Sequence, residues 1–241
     1  LDELMGRLSF AEAVYLLLCG ELPSPAIGKL FGAVLVSSID HGVSPPSTIA
    51  ARNVATTGAP LRDAVAAGIL GFGAYHGGDI ETCLRFLQDG LKLRRQGANF
   101  EQAAQQMINM WSGRGAMPPG FGHRIHTRDP RAARLLQMTH ELELDGEHCK
   151  LLRVTERIIN QDPSRDDHPV PVNVDGAIAA ICGDLGFDPE IANGLFMIAR
   201  VPGLLAHAAE ERSRHAPMRQ IDPKAHVYDG PGRRRLPETR K

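Results

Sequence analysis

Apolar residues recur at helical spacing through most of the chain, and runs that alternate apolar with polar, as strands do, are nearly absent. Ser9-Phe10-Ala11-Glu12 reads as a capping box, with Phe10, Ala13, Leu17 and Leu18 at helical spacing behind it; Gly20 and Pro23 stop that helix. Ser24-Pro25 opens a second helix through Ile27, Leu30, Phe31, Val34 and Leu35. Pro60 opens a third that becomes glycine-rich at Gly68, Gly71 and Gly73, where backbones can approach closely. Asn99-Phe100-Glu101-Gln102 is a second capping box, and Asp129-Pro130 and Asp188-Pro189 mark two further starts. Pro202 sits inside the last long helical pattern and predicts a kink there, not a stop. The pattern predicts an all-α protein of many short and medium helices without an internal repeat.

Composition narrows the class. The chain has 241 residues, enough for one large domain or two small ones with a real core, and its 43% hydrophobic and 23% charged content suits a globular fold. A net charge of −1 gives no global attraction to nucleic acid or an acidic membrane. Only Arg233, Arg234, Arg235, Arg240 and Lys241 make a basic stretch, which reads as an exposed tail. Uninterrupted apolar runs such as Ala13 to Cys19 fall well short of the roughly 20 residues of a membrane span. Cys19, Cys83, Cys149 and Cys182 form no C-x-x-C pair, which argues against a disulfide frame or zinc ribbon and sets a reducing, cytoplasmic location as the expectation.

The loops carry the chemistry. Asp40-His41-Gly42 through Pro46, Tyr75-His76-Gly77-Gly78-Asp79, Pro118-Pro119-Gly120-Phe121-Gly122-His123-Arg124 and Val170 through Gly176 each set an ionisable residue beside glycine or proline at a helix boundary. Any one of these histidines alone suits a surface turn, and Asp175 ahead of Gly176-Ala177-Ile178 suits a helix cap. Their recurrence in one context points to a site. His123 and His126 have ligand-like spacing, but Arg124, Arg128 and Arg131 around them disfavour a metal and suit carboxylates or phosphates. The sequence has no G-x-S-x-G elbow, Walker-type phosphate loop or G-x-G-x-x-G. A carboxylate, neutral hydrogen-bond donors and arginines together suit proton transfer at a carbon next to a carbonyl, on a substrate rich in carboxylates.

Gly120-Phe-Gly-His-Arg124 followed by Asp129-Pro-Arg131-Ala132 resembles the signature of the citrate synthase superfamily. Asp40-His41-Gly42 with Ala50-Ala51-Arg52, Ala74-Tyr-His76-Gly-Gly78, Asn173-Val174-Asp175, Ala199-Arg200 and the opening Leu8 through Pro23 resemble further family segments in the same order. The resemblance implies a two-lobed helical fold, with residues 1–78 and 196–241 in a large lobe and 79–195 in a small one. It also implies a homodimer, with no nucleic acid or membrane as partner. No cofactor would be permanently bound; a coenzyme A thioester, acetyl-CoA or citryl-CoA, would be a substrate together with oxaloacetate. By the same resemblance His76, His123 and Asp175 are catalytic; His41, Arg131 and Arg200 bind the oxaloacetate part; Gly120, Phe121, Gly122 and Arg128 contact coenzyme A.

Departures from the family pattern tilt the expected reaction. The stretch between the Leu-Pro segment and the first histidine is short. Asp222-Pro223-Lys224 stands where the family has R-P-R, whose first arginine reaches a citrate carboxylate in the neighbouring subunit, and Arg219 is a candidate substitute. The short form resembles compact citryl-CoA lyases. The alternatives are a citrate or 2-methylcitrate synthase and a non-catalytic homologue that binds CoA esters.

Overall fold

Most of the described helices start where a side chain or a proline compensates for the bonds that a first turn lacks. The computed structural model describes residues 1–241 except 74, 75, 78, 124, 125, 163, 164, 166, 167, 221 and 236–241. Ala74, Tyr75, Gly78, Arg124, Arg240 and Lys241, all singled out in the sequence, lie outside the described residues. Ten α-helices are described: α1 Phe10–Cys19, α2 Pro25–Ser37, α3 Pro46–Ala55, α4 Leu61–Leu70, α5 Asp79–Arg95, α6 Phe100–Ser112, α7 Pro130–Glu141, α8 Glu147–Ile159, α9 Val174–Asp184 and α10 Pro189–Arg214. No β-strand longer than an isolated bridge occurs among the described residues. The fold is all-α.

The expected capping devices form. Ser9 and Glu12 cap α1 reciprocally, as Asn99 and Gln102 cap α6. Ser24, Asp129 and Asp188 cap α2, α7 and α10. α10 continues through Pro202 without interruption. Asp175 is not a cap: Asn173 is, accepting from the Gly176 amide at 3.0 Å, which leaves the Asp175 carboxyl free for other contacts in the first turn of α9. The helices α3, α5, α8 and α9 carry weaker start signals in the sequence; α3 has no side-chain cap and α8 starts at Gly146.

Two sets of buried side chains form. The larger joins α1, α2, α5 to α9 and the first half of α10, with Tyr15, Phe31 and Phe187 in mutual aromatic contact and Leu84, Leu151, Ile178 and Leu195 fully buried. The smaller is made of Ala55, Ala64 and Ala208, where α3, α4 and the second half of α10 pack through small residues. α10 therefore belongs to both, and residue 195, the expected limit of the small lobe, lies within it. By length and composition α10 is apolar enough to cross a membrane, although charged residues interrupt it; here it packs against α3, α4 and α5 and buries Arg200.

The chain after α10 is tied back by ions. The Glu211 carboxylate is fully buried and accepts from Arg52 Nε at 2.8 Å and from Arg219 Nε at 2.8 Å, with Arg219 Nη2 also bonded to it. Met218, at φ 58°, donates its amide to the Thr56 carbonyl, and the Arg219 amide donates to Thr56 Oγ1. Beyond this anchor the described side chains are exposed, with Val227 and Tyr228 in solvent. Arg219 holds Glu211 below the usual carboxylate range, so this stabilisation is complete at neutral pH and fades as pH falls through that range. Glu211→Gln leaves two arginines facing each other, and a loss of about 3 kcal/mol is expected. Thermal melts and limited trypsin digestion read it; an unchanged melting temperature with unchanged cleavage after Arg219 would show that the triad anchors nothing.

Candidate active site

A cavity of about 460 Å³ opens where five chain segments meet. His41 and Ser44 come from the loop before α3, His76 and Gly77 from the turn before α5, and Gly122, His123 and Arg131 from the loop and start of α7. Asn173, Val174 and Asp175 come from the start of α9, and Phe196 and Arg200 from α10. All six residues expected to be catalytic or to bind the dicarboxylate line this one cavity: His41, His76, His123, Arg131, Asp175 and Arg200.

Of the four residues expected to contact coenzyme A, the structure places one, Gly122, at the cavity wall. Phe121 is buried in the larger core, and Arg128 is exposed and outside the lining. Gly120 is a packing device. At φ 84°, a β-carbon there would come within 3.0 Å of both Cys83 Sγ on α5 and Gly176 Cα on α9. Its carbonyl accepts from the Asn173 amide at 3.0 Å, the Gly122 amide donates to the Pro171 carbonyl at 2.7 Å, and Asn173 Nδ2 donates to the Gly122 carbonyl at 3.1 Å. These bonds lock the His123 loop to the turn that carries Asp175. A second cavity, of about 580 Å³, lies where α6 and α8 end, lined by Ser112, Gly115, Met117, Gln161 and Arg165 among others.

Several supporting residues were not assigned a role in the sequence. His76 Nε2 is 2.8 Å from the Oγ of Ser47, which is buried in the first turn of α3, and the His76 ring stacks on Phe72. Asp129, noted in the sequence as a helix start and as part of the family signature but given no role in the site, is fully buried. It accepts from Arg131 Nε, Nη2 and the Arg131 amide, and from the Val174 amide at 3.0 Å, so one carboxylate aims an arginine and ties α7 to α9. The D-P-R order was the available signal. His126 donates its amide to His123 Nδ1 at 3.1 Å, which leaves the neutral ring's proton on Nε2.

The charges are arranged asymmetrically. Arg200 is 1% exposed; its Nε donates to the Ser38 carbonyl at 2.8 Å, its guanidinium carbon lies 4.7 Å from the Phe196 ring centre, and Nη1 has no partner among the described residues. A buried guanidinium with an unused donor at a cavity wall is suited to an anionic ligand. Desolvation, then the charges of Arg131 and Arg200, lowers the proton affinity of His41; desolvation and Arg200 do the same for His76. Desolvation also lowers His123. All three imidazoles are therefore neutral donors at neutral pH. Asp175 is pushed the other way, to about 6, by desolvation and then by the nearby carboxylate of Asp79 at the start of α5. It exchanges a proton close to neutrality.

The citrate synthase C-terminal domain profile matches residues 1–221. The chain belongs to the citrate synthase family. Citrate synthase 2 of Bacillus subtilis is 30% identical over 229 residues, covering 94% of this chain and 57% of that protein. The chain thus spans little more than half the length of this relative. The structure of citryl-CoA lyase from Hydrogenobacter thermophilus is 41% identical with a TM-score of 0.88, covering 98% of this chain and 90% of that one. A Thermoplasma acidophilum citrate synthase, solved as a ternary complex with carboxymethyl coenzyme A and oxaloacetate, shares the fold at 21% identity and a TM-score of 0.75, covering 95% of this chain and 58% of that one.

The raised proton affinity of Asp175 has a sign that stability measurements can read. The folded state binds its proton more tightly than the unfolded chain, so stability falls as pH rises from about 4 through about 6. Asp175→Asn removes that loss. Its melting temperature should exceed the unsubstituted protein's at pH 8 and converge with it near pH 4; equal melting at both pH values would place Asp175 in an ordinary solvated environment. Asp79→Asn should move the Asp175 carboxyl titration, followed by carbon-13 NMR, to lower pH, and an unmoved titration would remove Asp79 as its neighbour.

Proposed function

We propose that the protein makes or breaks the carbon–carbon bond between acetyl-CoA and oxaloacetate, working mainly as a citryl-CoA lyase. The observation that carries this reading is the placing of neutral His76 and proton-exchanging Asp175 in one cavity walled by Arg131 and Arg200. An enolate intermediate needs a donor at its oxygen and an acid or base at its carbon, and a dicarboxylate needs buried cations. The match to a citryl-CoA lyase over nearly the whole of both chains favours cleavage.

In cleavage, the bond from the citryl hydroxyl carbon to the thioester arm breaks as the hydroxyl proton passes to His123 and the hydroxyl carbon becomes the ketone of oxaloacetate. His76 donates a hydrogen bond to the thioester oxygen of the enolate. Asp175 delivers its proton to the terminal carbon, forming acetyl-CoA. A carboxyl that still holds its proton near pH 6 suits this last step. The His126 amide on Nδ1 leaves His123 as a donor through Nε2, the state that holds the ketone oxygen of oxaloacetate. To accept the hydroxyl proton at Nε2, the ring starts from the other neutral tautomer, with Nε2 deprotonated to solvent water, Nδ1 protonated from it and the His126 amide contact open; proton transfer from the hydroxyl then gives the imidazolium. His41, Arg131 and Arg200 hold the carboxylates, Arg200 through its unpartnered nitrogen.

Arg219 does not take over the citrate-binding position that Asp222 leaves acidic, because it is committed to Glu211. Asp222 itself is exposed and accepts from the Lys224 amide. A weaker clamp on citrate favours release of the cleaved halves over hydrolysis of the thioester. Exposed apolar side chains on α1 and α2, Phe10, Leu17 and Val36 among them, support a homodimer. Citrate or 2-methylcitrate synthesis is the second reading, favoured by the 30% identity to Bacillus citrate synthase 2.

Incubation with citryl-CoA should release acetyl-CoA and oxaloacetate as main products; citrate and free CoA as main products would establish the synthase. Asp175→Asn and His123→Gln should fold and lose about 10²- to 10⁴-fold in turnover. Near-normal rates in either folded variant would overturn its role. Arg131→Ala should weaken oxaloacetate binding about tenfold in calorimetric titration, since the charge and the guanidinium donors that Asp129 leaves unused are lost; equal affinity would remove Arg131 from the site.

A further inference from the structure

One face of α10 carries Arg200, Gly203 and His207, three and four residues apart and therefore aligned. The segment Ser38 to Gly42 lies along that face. Arg200 Nε bonds the Ser38 carbonyl at 2.8 Å. A β-carbon on Gly203 would come within 3.0 Å of the Ile39 carbonyl oxygen and lie 3.2 Å from Asp40 Oδ1, so only glycine lets the segment sit this close. His207 Nε2 is 2.9 Å from Asp40 Oδ1, and its ring is largely buried. The other Asp40 oxygen accepts the Gly42 amide at 3.1 Å. Asp40 thus grips both α10 and the backbone on the far side of His41, which is itself exposed at the cavity.

We propose that His207 is a positioning residue: its bond to Asp40 latches the His41 segment onto α10 and thereby sets the cavity's affinity for its dicarboxylate ligand. The ligand class rests on the function proposed above; the latch does not. His207 does not line the cavity, and nothing places it on reacting atoms. Its second ring nitrogen is 3.6 Å from Glu210 Oε2, a carboxylate on the same helix and too far for a hydrogen bond.

The test compares His207→Phe, which removes the donor, with His207→Gln, whose side-chain amide can donate to Asp40. Hydrogen exchange of residues 38–44, read by mass spectrometry without ligand, should accelerate about tenfold in His207→Phe and return toward the original rate in His207→Gln. Oxaloacetate binding should weaken about tenfold in His207→Phe, with KM rising by more than kcat falls. In an Asp40→Ala background the same substitution should change neither exchange nor binding further. Unchanged exchange in folded His207→Phe overturns the latch, as does a fall in kcat with KM unchanged. If His207→Phe does not fold, Gly203→Ala tests the same contact by pushing the Ile39 carbonyl off the helix, and unchanged exchange there overturns the proposal equally. Should the unsubstituted protein fail to bind oxaloacetate, the functional reading falls, while the exchange experiment still decides the latch.

Discussion

Arg200 is a charge that the fold has taken out of water and only partly repaid. Burying a guanidinium costs several kcal/mol unless its donors find acceptors, and here one nitrogen has none. Much of the surrounding arrangement follows from accommodating it. The Ser38 carbonyl is drawn onto α10, the Phe196 ring covers one face of the cation, and its charge adds to the desolvation that lowers the proton affinity of His41 and His76. The remaining deficit sits at the wall of the cavity, where a carboxylate of the proposed ligand would remove it.

Asp175 is the opposite case. It sits near Arg131 and Arg200, which favour its ionised form, yet desolvation and Asp79 outweigh them and leave it titrating near neutrality. A solvated carboxylate would be stable but would hold no proton at working pH. The cost in fold stability and the chemical usefulness therefore have one origin. The neutral imidazoles complete the pattern: each can donate without carrying a charge that would compete with the arginines for the ligand.

Rigidity comes from carboxylates placed behind the site, Asp129 fully buried and Asp40 exposed. Asp129 orients Arg131 and joins α7 to the turn before Asp175, while Asp40 holds the His41 segment on α10. Gly120 lets α5, α9 and the His123 loop converge to a separation that any side chain would prevent. Such contacts hold the donors at fixed positions before a ligand arrives, which is what electrostatic stabilisation of an enolate requires.

The amino-acid sequence by itself determined the helical class, the caps of α1, α2, α6, α7 and α10, and the six ionisable residues of the cavity. These signals are local: a capping box spans four residues, and each motif sets its histidine, arginine or aspartate beside its own turn. Only the tertiary structure decided that Gly120 and Phe121 pack inward, that Ser47 faces His76, and that Asn173, not Asp175, caps α9. It also decided that Arg219 serves Glu211 and that His207 reaches Asp40, partners 8 and 167 residues apart. Nothing in the spacing of such residues marks them as neighbours. Their pairing follows from how the helices pack, and the proton affinities follow from the desolvation and the charges that this packing brings together.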